Sequence, residues 1–166
     1  MTQSNLIVHD FSKGAASMTE QTPNLDINDI MSLIPHRYPM LLIDRVEDIH
    51  LGESAVGVKS VTMNEWYFQG HFPGRPILPG VLTVEAMAQT AAVLVMKSLD
   101  IKEEKLVYFM SFEETKFRKP VVPGDQLRLK VTKDKSRGPV WKFKGEAMVD
   151  GVLVAEATFS AMIADK

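Results

Sequence analysis

Residues His71–Leu99 read HFPGRPILPGVLTVEAMAQTAAVLVMKSL, and the change of composition inside this stretch decides the fold. The first ten residues are rich in Pro and Gly. Pro lacks an N–H and disfavours helix at the residue before it, so this part is a shaped loop. The remainder contains neither residue and is built from Ala, Leu, Val and Met, which predicts one long helix beginning at Pro79-Gly80 and breaking near Asp100. At 1.5 Å per residue, Val81 to Leu99 would span roughly 28 Å. The helix is apolar on nearly every side, which implies burial all round rather than a one-sided surface position. Its two charged residues are Glu85 and Lys97. Lys97 lies in the last turns, where a cation suits the negative end of the helix dipole. Glu85 lies in the second turn and needs a partner or a raised pKa if buried. The nearest candidate in sequence is His71, fourteen residues earlier. Together they would form an acid/base pair at the mouth of an apolar helix. Read singly, His71 fits a loop histidine with a hydrogen-bonded ring, and Glu85 a partly exposed helix residue.

The apolar run approaches membrane length. Thr83, Glu85, Gln89 and Thr90 argue against insertion, since a central charge costs about 2.5–3.5 kcal/mol there. A chain of 166 residues fits one domain with a sizeable core, and its net charge of −2 disfavours a general nucleic-acid binder. The absence of cysteine excludes disulfides, thiolate metal sites and a Cys nucleophile. No basic-then-apolar signal segment opens the chain, so the cytoplasm is the expected location, with no membrane partner.

Residues 1–23 are polar and small-residue-rich and are expected to form a disordered leader, with residues 24–166 as a single domain. Asp26 can cap a short helix from Ile27 to Leu33, with Ile27, Ile30, Met31 and Ile34 on one side. Met40–Ile49 and Ser54–Thr62 read as antiparallel strands joined at Gly52, followed by an aromatic loop from Asn64 to Gly70. After the central helix everything reads as strand. Leu106–Arg118 comes first, with Leu106, Tyr108, Met110 and Phe112 on one face. Gln126–Thr132 follows with Leu127, Leu129 and Val131 inward. The next strand turns Trp141, Phe143, Gly145, Ala147 and Val149 inward. Asp150-Gly151 makes a two-residue hairpin, and the last strand carries Leu153, Ala155, Ala157, Phe159, Ala161 and Ile163 on one face. Short turns between the four late strands predict a meander. One small sheet does not cover a helix that is apolar all round, so two copies are expected to join their sheets.

The segments PHRYPMLLIDR (Pro35–Arg45), NEWYFQGHFPGRPILPGVLTVEAMAQ (Asn64–Gln89), VYFM (Val107–Met110), PGD (Pro123–Asp125) and VAEATFSAMIA (Val154–Ala164) resemble the bacterial (3R)-hydroxyacyl-[acyl-carrier-protein] dehydratases of the FabZ type. The combination HFPxxPxxPGVxxxEAMAQ is specific, although no single piece of it is. The resemblance implies an α+β hotdog fold, with an antiparallel sheet wrapped around one long central helix. It further implies homodimers with sites shared between subunits, often assembled as a trimer of dimers. The implied reaction is dehydration of a (3R)-3-hydroxyacyl thioester on acyl carrier protein to the trans-2-enoyl thioester, in fatty acid elongation, without metal or organic cofactor. By position His71 is the family's catalytic histidine and Glu85 its catalytic acid, drawn from different subunits. The related dehydratase/isomerase family usually has Asp where this chain has Glu85. Tyr108 aligns with a tyrosine that gates the acyl tunnel, and His36-Arg37 matches the family's HR loop, where a structural role across the site is expected.

The chemistry suits these residue types. A thioester α-proton is weakly acidic and needs a base, which neutral imidazole supplies near pH 7. A β-hydroxyl leaves poorly unless protonated, so a carboxylic acid kept neutral by an apolar pocket fits Glu85, which can alternatively hold the transferred water. The free N–H groups of Gly80 and Val81 at the helix start fit the oxyanion that develops on the thioester. Gly80 has no side chain to block the approach. Gln89 fits a hydrogen bond near Glu85 or an amide satisfying backbone groups. Ala88 and Ala92, on the same stripe, fit either room for an acyl chain or close helix–sheet packing. Lys116, Arg118 and Lys119 form a basic run that could dock an acidic carrier or simply be solvated. His50 is expected to be exposed in a turn. Two alternatives stay open on this fold: an acyl thioesterase, and a non-catalytic module binding an acyl chain or carrier.

Overall fold

The computed structural model of the chain describes residues 22–101 and 105–165. The expected leader lies outside the described residues except at its end, where Thr22 already bridges to Ile49. Helix α1 spans Ile27–Leu33. Asp26 Oδ1 accepts hydrogen bonds from the Asn28 and Asp29 N–H groups, and Asp29 Oδ2 accepts from the Asp26 N–H, a reciprocal cap. Arg37 closes the other end by donating to the carbonyls of Met31 and Ile34. Strands β1 (Arg45–His50) and β2 (Ser54–Ser60) precede helix α2 (Gly80–Ser98). Four strands follow: β3 (Lys105–Phe117), β4 (Gln126–Arg137), β5 (Val140–Val149) and β6 (Val152–Asp165). They form one antiparallel sheet in the order β1-β2-β4-β5-β6-β3, wrapped around α2 in the hotdog arrangement. α2 is the one helix among the described residues long and apolar enough to cross a membrane, and most of it is buried against the sheet.

Two expectations needed correction. β1 begins at Arg45 rather than Met40, because the backbone before it bonds elsewhere. Met40 and Leu41 donate to the Arg37 carbonyl, and the Gln89 side chain bonds Met40 and Leu42. The late strands are not a simple meander. Only β4-β5-β6 is one, while β3 pairs with β6 and β4 pairs with β2. The reason is the segment between β3 and β4. Its Val121 carbonyl accepts from the Leu78 N–H, and Gly124 and Asp125 exchange bonds with Val61. These bonds carry the chain past the start of α2 and deliver it to the edge of β2. The aromatic loop contains a short 3₁₀ turn, Trp66–Gln69, that buries Tyr67 and Phe68.

The face of β3 carrying Tyr108, Met110 and Phe112 is half exposed, whereas Val107 and Phe109 pack on the core. Both faces of this strand are apolar and alternation alone does not say which one turns inward. The Asp150-Gly151 hairpin forms as expected, with φ of 48° and 75°.

Close approach of α2 to the sheet depends on Gly57 in β2. A Cβ there would lie 2.1 Å from Thr90 Oγ1. Gly57→Ala is expected to cost about 1–3 kcal/mol in urea unfolding. The cost should shrink in a Thr90→Ala background, which removes the clashing oxygen. Equal costs in both backgrounds would contradict this packing account.

Candidate active site

His71 sits in the loop between the 3₁₀ turn and α2, held on both sides by backbone bonds. Its N–H donates to the Tyr67 carbonyl and its carbonyl accepts from the Ile77 N–H, each at 2.9 Å. The ring stacks on Phe72, and Nδ1 lies 2.7 Å from the Ile77 carbonyl. A carbonyl can only accept, so Nδ1 carries hydrogen and, in the neutral ring, Nε2 keeps its lone pair. The loop thus presents His71 as a base. It lines a cleft of about 480 Å³ together with Pro79, Gly80, Val81, Thr83 and Phe117.

The same cleft contains the start of α2. The Pro79 carbonyl takes the Leu82 and Thr83 N–H groups, while those of Gly80 and Val81 have no acceptor among the described residues. Two free donors at the positive end of a nineteen-residue helix make a site for developing negative charge. Gly80 has a second reason to be glycine, which the sequence did not reveal: a Cβ there would meet the Phe117 ring at 2.6 Å.

Glu85 faces a different space. It shares a small, partly open pocket with His36, Ala88, Gln89, Ala92, Val107 and Phe109. Gln89 Nε2 donates to Glu85 Oε1 at 2.9 Å and to the Met40 carbonyl, while Gln89 Oε1 accepts from the Leu42 N–H. Gln89 therefore does both things the sequence left open: it bonds the carboxyl and satisfies the backbone before β1. His36 Nε2 lies 3.4 Å from the same Oε1. Burial pushes the Glu85 carboxyl up, but the hydrogen bonds from His36 and Gln89, with the charge of His36, outweigh it and hold the group below the ordinary carboxylate value. This departs from the expectation of a carboxyl kept neutral by an apolar pocket. The pocket is apolar on the β3 side and along Ala88 and Ala92, while His36 from the loop before β1 and Gln89 from α2 face the carboxyl.

Within one protomer the structure does not bring His71 and Glu85 together: they line separate cavities and make no ion pair. Ala88 and Ala92 also border a second apolar pocket further along α2, lined by Val95, Trp141 and Ile163 among others. Tyr108 lines none of these spaces and is half exposed at the sheet edge. The basic run is partly neutralised, because Glu156 pairs with both Arg118 and Lys116. Lys119 has no ion-pair partner among the described residues. His50 is exposed.

The comparisons with known proteins agree with this architecture. A FabA-like domain model matches residues 34–158. The chain is 64% identical over 143 residues to the 3-hydroxyacyl-[acyl-carrier-protein] dehydratase FabZ of Paramagnetospirillum magneticum, covering 86% of this chain and 89% of that protein. The chain belongs to the FabZ family of FabA-like dehydratases. Another FabZ relative, from Gluconacetobacter diazotrophicus, is 66% identical over 140 residues, covering 84% of this chain and 87% of that one. Among solved structures, the dehydratase heterocomplex ApeI:P from Xenorhabdus doucetiae aligns with a TM-score of 0.70 at 17% identity, over 82% of this chain and 91% of that one. At that identity the likeness speaks for the fold alone. Within the FabZ family the positions that sequence reading undervalued are His36 and Phe117. The signal for His36 was present in the HR loop, but nothing in the spacing ties residue 36 to residue 85.

Proposed function

We propose that the chain removes water from (3R)-3-hydroxyacyl thioesters on acyl carrier protein, giving trans-2-enoyl thioesters in fatty acid elongation. The observation that carries this is the 64% identity to a FabZ dehydratase over nearly its whole length. The free Nε2 of His71 and the buried carboxyl of Glu85 supply groups suited to the reaction. In dehydration His71 Nε2 takes the Cα proton, the Cβ–O bond breaks, and the departing hydroxyl leaves as water with the Glu85 proton. In hydration the Glu85 carboxylate activates water and the protonated imidazole returns a proton to Cα. The pair carries one proton in either direction, on Glu85 before dehydration and on His71 before hydration. The Gly80 and Val81 N–H groups steady the thioester oxygen as charge develops.

The two residues meet across a homodimer. β3 is the free edge of the sheet and carries three half-exposed apolar side chains, Tyr108, Met110 and Phe112. Val107 and Phe109 of that same edge strand wall the Glu85 pocket. A second copy joining at β3 covers the edge and brings its His71 to Glu85, and three such dimers form the hexamer. Lys119 beside the cleft gives an acidic carrier a place to dock, and the enzyme works in the cytoplasm. The reaction needs no cofactor.

The test is hydration of trans-2-butenoyl thioester on a carrier or carrier mimic, followed by loss of conjugated enoyl absorbance with a thiol reagent in parallel. Loss of absorbance without thiol release is expected. Thiol release would make the chain a thioesterase, and neither signal with acyl-carrier binding would make it a binding module.

A further inference from the structure

We infer that His36 is a positioning residue for Glu85: through Nε2 it fixes the carboxyl by Oε1 and leaves Oε2 as the oxygen that exchanges the reacting proton. This rests on the function proposed above.

Three observations carry the inference. Glu85 Oε1 accepts from Gln89 Nε2 at 2.9 Å, and His36 Nε2 lies 3.4 Å from the same oxygen. Oε2 has no partner among the described residues. An ionised carboxylate only accepts, so the facing Nε2 carries hydrogen and the neutral ring has a bare Nδ1. That Nδ1 is buried without a hydrogen-bond partner among the described residues. Burying an unpaired ring nitrogen is unfavourable, and a residue kept purely to brace the loop would gain by placing both nitrogens on partners. The loop has other means of bracing: Arg37 bonds the carbonyls of Met31, Ile34 and His36, and Gln89 bonds Met40 and Leu42. His36 therefore adds little to the loop, and its one side-chain contact of this kind is Glu85.

His36 is the one other ionisable side chain of the protomer that lines the Glu85 pocket. From α2 the pocket receives Gln89, Ala88 and Ala92, and from β3 it receives Val107 and Phe109, none of which is ionisable. Arg37 is turned away toward α1. The third group is the second copy's His71, which arrives with the dimer. A donor on Oε1 stabilises the carboxylate, so its loss should raise the Glu85 pKa. With its carboxyl held below the ordinary carboxylate value, Glu85 governs the acid limb of log kcat/KM against pH.

The experiment compares wild type, His36→Asn and His36→Gln over a pH series, in the trans-2-butenoyl thioester assay, with dimer content checked by sedimentation. The Gln amide reaches about as far as Nε2, whereas the Asn amide stops one methylene short. The acid limb of the Asn variant is expected to move up by about half a pH unit or more, the worth of one long charge-assisted bond. Gln at 36 restores the donor but not the charge of an imidazolium, so it should return the limb part of the way to its wild-type position. An unmoved limb in the Asn variant, or an equal shift in both variants, would overturn the inference. So would the ¹⁵N spectrum of wild type if the neutral His36 ring carried hydrogen on Nδ1 rather than Nε2, a readout that needs no substitution. Failure of the wild type itself to hydrate the thioester would instead overturn the proposed reaction.

Discussion

His71→Ala is expected to lower kcat for hydration of trans-2-butenoyl thioester by about 10³-fold, within the range that a positioned acid or base contributes. KM should move only a few-fold. The imidazole is one wall of a cleft otherwise built by Pro79, Gly80, Val81, Thr83 and Phe117, so most of the binding surface survives its removal. The fold should survive too, since His71 is only partly buried and its backbone bonds to Tyr67 and Ile77 do not need the ring. Glu85→Gln should produce a loss of similar size for a different reason. The amide keeps a bond with Gln89 but can neither accept nor return the reacting proton. Stopped-flow absorbance with a melting curve for each variant checks both claims. A variant with kcat within about threefold of wild type would remove that residue from the chemistry.

The second large effect is at the sheet edge. Met110→Asp with Phe112→Asp is expected to convert the protein to monomers and to abolish most activity, although neither side chain lines the His71 cleft or the Glu85 pocket. Both side chains are about half exposed in the protomer, at 56% and 50%, so charging them should leave the monomer folded. In a dimer joined antiparallel at β3 the charges introduced on one copy lie near those on the other across the new strand pair, and like charges facing there are unfavourable. Adding the lost apolar burial, dimerisation should weaken by about 10³-fold or more. Sedimentation equilibrium reads the association, and the thioester assay at several protein concentrations reads the coupling. A variant that stays dimeric, or a monomer that keeps full turnover, would contradict the placement of the interface.

How far the sequence reached can be judged element by element. α2 was legible because its composition changes abruptly at Pro79-Gly80 and because a helix apolar on every side has only one place to go. The α1 cap was legible from Asp26 for the same local reason. The strand order was not: whether β3 pairs with β4 or with β6 depends on where Val121, Gly124 and Asp125 find backbone partners, and those partners are Leu78 and Val61, far away in the chain. The exposed face of β3 was hidden because both of its faces are apolar. In the site, the sequence offered His71 in the loop and Glu85 in the second turn of α2 as a pair, and the protomer places them in separate cavities. The polar neighbours of Glu85 were not legible, because His36 reaches it from the loop before β1. Residues Gln89 and His36 converge on one carboxyl oxygen from opposite sides of the sequence. Gly80 illustrates a third kind of limit. Its residue type reads as access for a ligand, while its nearest neighbour is the Phe117 ring, about forty residues later.

The most direct measurement mixes two inactive proteins. His71→Ala and Glu85→Gln dimers are prepared separately, combined in equal amounts under conditions that exchange subunits, and assayed with the enoyl thioester. If each site draws His71 from one subunit and Glu85 from the other, a mixed dimer has one site with both residues intact and one with neither. Random exchange then restores activity to about one quarter of wild type, since half the dimers are mixed and each has one working site. If the pair belonged to a single subunit, every site would carry one lesion and the mixture would remain as inactive as its parents.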